Sequence, residues 1–128
     1  MPAAVSPIRR IRERAGFLMA RNNGEKALSK GVVIQAVFGD RKHWRLGITA
    51  TKKIGNAVVR NRARRRLRAL ARQCLAPIAQ NGVDYVFIAR HDTATAEWTE
   101  MIAGVKKALR YLHQTFEGGR VKKERGKL

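Results

Sequence analysis

Acidic residues are scarce here. Nine Asp and Glu stand against 28 Lys and Arg, for a formal net charge of +19. A protein-based nuclease would need grouped carboxylates for metal ions or a poised general base. No such group is visible: Asp40 falls in a turn, Asp84 at a strand start and Asp92 in a loop, with the Glu residues on or near helices. His43, His91 and His113 lie far apart and carry no cysteine or acid pattern, which weighs against a metal site. The single cysteine, Cys74, excludes an internal disulfide and fits an inert core position. No stretch approaches the roughly 18–20 apolar residues of a membrane span. The N-terminus has no continuous apolar core of the secretory kind. A cytoplasmic protein without a membrane partner is the expectation. No glycine-rich phosphate loop precedes a helix.

What is present is a folded body with a concentrated charge. The 128 residues suit one domain, and 45% apolar content marks a core rather than a disordered tail. From Lys52 to Arg72 there are nine basic residues and no acid; from Arg41 to Val83 there are twelve, still without an acid. Cations with no internal counter-ions call for a polyanion. Gly55 and Asn56 supply a turn and an N-cap, so the spacing predicts a helix over about Asn56 to Leu75, stopped by Pro77. Val59, Ala63, Leu67, Leu70 and Cys74 form its apolar stripe. Asn61, Arg65, Arg68 and Arg72 point the opposite way, and Arg60, Arg64, Arg62 and Arg66 flank the stripe. Surface helices usually mix acids with bases at four-residue spacing; this one does not. Arginine predominates, and its planar fork binds phosphate oxygens in pairs and stacks on bases.

In chain order, residues 1–7 read as a loose end and Ile8 to Ala20 as a short helix stopped by Asn22-Asn23-Gly24. Gly31 to Phe38 and Trp44 to Thr51 read as two strands of a hairpin joined by a turn at Gly39-Asp40-Arg41-Lys42. In the second strand Arg45, Gly47, Thr49 and Thr51 alternate with Trp44, Leu46, Ile48 and Ala50, so one face is buried and the other available. After the basic helix comes a strand at Asp84 to Arg90. A last helix follows, capped by Thr95 and carrying Trp98, Met101, Ile102, Val105, Leu109, Leu112 and Phe116 on its apolar side. The pattern defines an α+β domain, residues 1–117, with helices on a small sheet, and residues 118–128 as a flexible basic tail.

The run Lys52-Lys53-Ile54-Gly55-Asn56-Ala57-Val58-Val59-Arg60-Asn61-Arg62-Ala63-Arg64-Arg65-Arg66-Leu67-Arg68 resembles the signature of the protein subunit of bacterial ribonuclease P. Phe17, the segment RLGIT and the segment DYVFIAR agree more loosely, and together the likeness covers about Arg9 to Phe116. The resemblance implies a two-layer α-β sandwich with a left-handed βαβ crossover, against the usual hand. It implies a partner for a catalytic RNA that removes the 5′ leader of precursor tRNA, with Mg2+ bound chiefly by the RNA and substrate and no catalytic protein residues. The free protein is expected to be monomeric. Residues expected at the catalytic RNA are Lys52, Lys53, Asn56, Arg60, Asn61, Arg62, Arg64, Arg65 and Arg68. Those expected in a leader cleft are Phe17, Gln35, Arg45 and Thr49, with Phe17 divided between cleft and core. The likeness departs from the family pattern at Arg21 and Gln35, where aromatics are common, and at Arg66, where an apolar residue is common. On composition alone, a structural RNA-binding protein such as a ribosomal component would fit as well; a DNA-compacting protein fits less well, since no DNA-reading motif or dimer seam is recognisable.

Overall fold

The computed structural model describes residues 8–39 and 41–127, with side-chain surroundings as far as Phe116; the expected loose end at 1–7 lies outside these residues. The central element is a strand buried almost throughout, Val83–Ala89. Such an apolar segment needs neighbours on both edges and cover on both faces. Strands β1 (Glu25–Ser29), β2 (Val32–Phe38), β3 (Arg45–Thr49) and β4 (Val83–Ala89) form one sheet in the order β1-β2-β4-β3. β1 and β2 are antiparallel across a two-residue turn at Lys30-Gly31, β2 and β4 are antiparallel, and β3 runs parallel to β4.

The expected hairpin between Gly31–Phe38 and Trp44–Thr51 does not form, because β4 lies between its two strands. The Gly39 N–H instead donates to the Gly82 carbonyl at 2.7 Å, prolonging the β2–β4 ladder. β3 reaches β4 by a helical crossover, the connection that parallel neighbours require.

Helix α2 (Ala57–Leu70) provides that crossover and continues through a π-helical turn, Ala71–Leu75, where the Ala76 N–H reaches back to the Ala71 carbonyl at 2.9 Å. Helix α3 runs Trp98–Lys127, so the domain boundary expected at residue 117 lies inside it. Its cap is Glu97 rather than Thr95: the Glu97 carboxylate accepts from the backbone N–H groups of Thr99 and Glu100 at 3.2 and 3.0 Å. These bonds, led by one from the Thr99 hydroxyl, hold the carboxyl below its usual range.

The main core lies between the sheet and α2 and α3. The stripe expected on α2 is largely there, with Ala63, Leu67, Leu70 and Cys74 buried, and Met101, Val105, Leu109 and Leu112 meet it from α3 against Ile34, Tyr85 and Phe87. Burial pushes the Cys74 thiol pKa up, as suits an unreactive core residue. Helix α1 (Arg14–Asn23) covers part of the opposite face, where Ile11, Ala20, Val37 and Val86 form a smaller core. It begins six residues later than the sequence pattern indicated. Residues 8–12 are instead a strap along the outer edge of β3: the Ile11 N–H donates to the Leu46 carbonyl at 3.0 Å and the Leu46 N–H to the Arg9 carbonyl at 2.8 Å.

Candidate nucleic-acid interface

The candidate interface is built from the start of α2. A short 3-10 turn, Lys52–Ile54, delivers both lysines to solvent and ends at Gly55 with φ +147°, a conformation L side chains rarely adopt. A Cβ there would also lie 2.9 Å from Val59 Cγ1. Asn56 then caps the helix, its Oδ1 accepting from the Val59 N–H at 3.0 Å. Backbone and cap together fix the direction in which the arginines leave the protein.

Lys52, Lys53, Asn61, Arg62, Arg65 and Arg68 are exposed, and Arg60 and Arg64 are half-buried. None of these cations has a carboxylate within 4 Å among the described residues; the ion pairs there belong to Lys30, Arg41 and Arg45. Arg64 is oriented by neutral acceptors, donating to Asn61 Oδ1 at 3.1 Å and to the Ala50 carbonyl at 3.4 Å. Arg60 Nε is buried without a partner. Arg66 is different. It donates to the carbonyls of Thr93 and Ala96 at 2.7 and 2.8 Å and stands 5.2 Å over the Trp98 ring, tying α2 to the turn before α3.

Two concavities share the cationic face. One, of about 460 Å3, is lined by Val58, Asn61, Arg64, Arg65 and Arg68. The other, of about 600 Å3, runs between α2 and the β3 edge; Arg64, Arg68 and Arg72 form one wall, Ile8, Arg10 and Ile11 the other, with Phe17 and Ile48 among the apolar lining. Arg64 and Arg68 border both, so the charge is continuous from helix to cleft. Phe17 is half-buried and lies directly on Gly47, where a Cβ would come within 2.5 Å of Phe17 Cε1; it serves core and cleft together.

The other residues expected in a leader cleft do not line this concavity. Gln35 shares a sheet row with Gly47 and Val86 but is only 6% exposed, beside α1. Thr49 is half-buried on that same face, paired with Ile88. Arg45 is buried in an ion network: its Nε and Nη2 donate to the two Asp84 oxygens at 2.9 and 2.7 Å, and its Nη1 to Glu13 Oε1 at 2.7 Å. The Asp84 bonds above all raise the Arg45 pKa further, and the Arg45 bond lowers that of Glu13. A guanidinium satisfied in this way is not available to a phosphate. The cleft residues that the sequence reading missed are Arg10, Arg72 and Ile48. The only advance sign of any of them was the place of Arg72 on the polar face of α2.

Among the described residues no three His, Cys, Asp or Glu side chains come together as a metal site, and no helix is long and apolar enough to cross a membrane. A small α+β domain with an uncompensated arginine helix beside a cationic cleft belongs, as a class, with RNA-binding proteins. Comparison with known proteins narrows the class. The profile of the family described as Ribonuclease P matches residues 6–113. The ribonuclease P protein component of Caulobacter vibrioides is 45% identical over 119 residues, covering 91% of this chain and 78% of that one. The Gluconacetobacter diazotrophicus protein of the same name is 42% identical over 102 residues, covering 79% and 88%. The fold matches the RNase P protein of Staphylococcus aureus with a TM-score of 0.67 at 24% identity, over 82% of this chain and 95% of that one. It matches that of Thermotoga maritima at 0.65 and 24%, over 82% and 96%. The chain belongs to the ribonuclease P protein family, the protein components of that ribonuclease.

Proposed function

We propose that α2 binds the catalytic RNA of ribonuclease P, and that the adjoining cleft holds the single-stranded 5′ leader of precursor tRNA while the RNA removes it. The observation that carries this reading is the absence of carboxylate partners around the cations of α2 among the described residues. Those guanidinium and ammonium groups offset repulsion between two RNAs, and the continuity through Arg64 and Arg68 brings a leader beside the RNA that cuts it. Phe17 offers a ring face to a base, and Arg64, Arg68 and Arg72 offer donors to phosphates.

Magnesium, in this reading, belongs to the RNA and the substrate phosphates. Glu13 and Asp84 do not fit a protein site for it, since they are engaged by Arg41 and Arg45. The free protein is read as a cytoplasmic monomer. The test is reconstitution: purified protein added to a ribonuclease P catalytic RNA at low magnesium should restore cleavage of precursor tRNA. Unchanged cleavage would make the protein an architectural RNA binder, and cleavage by the protein alone would move the chemistry onto the polypeptide.

A further inference from the structure

β3 is an edge strand, and its outer edge is occupied unevenly. Leu46 exchanges both of its backbone hydrogen bonds with the strap, to Arg9 and Ile11. Its N–H and C=O therefore face away from β4, and by the alternation along a parallel strand those of Ile48 and Ala50 do too. The Ala50 carbonyl accepts from Arg64 Nη2. Ile48 has neither kind of partner among the described residues, because past Ile11 the chain leaves the edge and turns into α1. One amide donor and one carbonyl acceptor thus lie side by side on the outer edge of β3, at the cleft that Ile48, Phe17 and Arg64 line.

The gap is short. A peptide adding to a sheet edge needs a longer run of free groups, and here the run is closed by Leu46 on one side and by the Arg64 bond to the Ala50 carbonyl on the other. An unpaired nucleobase needs only one donor–acceptor pair for its edge, a flat apolar surface for its face, and cations for its phosphate. Ile48, Phe17 with Ile11, and Arg64 with Arg68 supply these in one cleft of about 600 Å3, within the roughly 300–1,000 Å3 usual for small-ligand sites. We propose that the Ile48 main chain reads the edge of one base of the RNA strand held in this cleft. The inference rests on the cleft being the leader's, and it adds a contact that no side-chain pattern encodes.

The test measures hydrogen exchange at the Ile48 amide in the holoenzyme. Bound precursor tRNA should slow exchange about tenfold or more, as for an amide newly engaged in a hydrogen bond, while mature tRNA should leave it fast. Abasic substitution at a single leader position should abolish the protection, and other positions should not. Ile48→Pro, a replacement that edge strands accept, should weaken precursor binding about 3- to 10-fold, the loss of one hydrogen bond. Mature tRNA binding should be unchanged. Protection by mature tRNA or by the catalytic RNA alone, or protection that no single abasic position removes, would overturn the assignment. So would an unprotected amide in a holoenzyme that still prefers precursor to mature tRNA. If the native holoenzyme shows no such preference, the leader reading fails first and this contact with it.

Discussion

Arg65 and Arg66 are adjacent, identical in type and opposite in use. Arg65 is exposed with no acid partner among the described residues, whereas Arg66 is engaged by two carbonyls and an indole ring 32 positions along the chain. Arg65→Ala should therefore weaken binding to the catalytic RNA by about 1–3 kcal/mol, the worth of a charge-assisted contact, and leave the melting temperature alone. Arg66→Ala removes the bonds holding the Thr93–Ala96 turn and should cost about 1–3 kcal/mol of stability, lowering Tm by several degrees with little change in RNA affinity where the protein is folded. Melts and binding isotherms on the two variants check both halves; an Arg66→Ala protein that loses RNA affinity at unchanged Tm would reverse the assignment. Helical spacing placed Arg65 on the outer face. The role of Arg66 was not legible, because Trp98 and the Thr93 and Ala96 carbonyls come near only through tertiary packing. Arg45 teaches the same lesson: strand alternation put it on the correct face, but Asp84, 39 residues away, decides what it does there.

Among the elements, α2 was the most legible, because its cap, its apolar stripe and its stop are all local signals. β1 was missed: the segment EKALS is short and mostly polar, and it is a strand because β2 gives it a partner. The hairpin error came from trusting a local turn where the apolar β4 competes for the same edge of β2. Helix α1 starts late because the strap pairs with β3, and Glu13 marks the changeover in an extended conformation (ψ 146°). Glu13 also anchors that end of α1, accepting from Arg45 and Arg41 at 2.7 and 3.2 Å. The Arg45 bond depresses its pKa below the reference value of 4.5, so the carboxylate stabilises the folded state above about pH 4.5. That stabilisation is lost as pH falls through the folded value. Glu13→Gln should flatten the acid limb of the stability curve below about pH 4.5 and leave its slope near pH 7 unchanged. Denaturant melts at successive pH values give the comparison, and an acid limb as steep as that of the native protein would remove Glu13 from the anchor.

At the scale of the whole molecule, composition announced an excess of positive charge, and the fold determines whether that charge can act together. Among the described residues, α2 and the turn before it gather one such group. The carboxylates at Glu13 and Asp84 neutralise Arg41 and Arg45, and Glu100 neutralises Lys30. Lys52, Lys53, Arg60, Arg62, Arg64, Arg65 and Arg68, on α2 and the turn before it, have no acid partners among the described residues. If all seven meet phosphates, affinity for the catalytic RNA should fall with salt at a log–log slope of about −6, from close to one released counterion per contact. Lys52→Ala and Lys53→Ala should each make the slope shallower by about one, as expected for single phosphate contacts. Arg66→Ala should not change it. Equilibrium binding across a salt series from about 50 to 500 mM, in the range where such slopes are linear, distinguishes these outcomes. A native slope shallower than about −2 would mean that most of these cations never meet the RNA, since a positive surface that releases few counterions is not in contact with a polyanion.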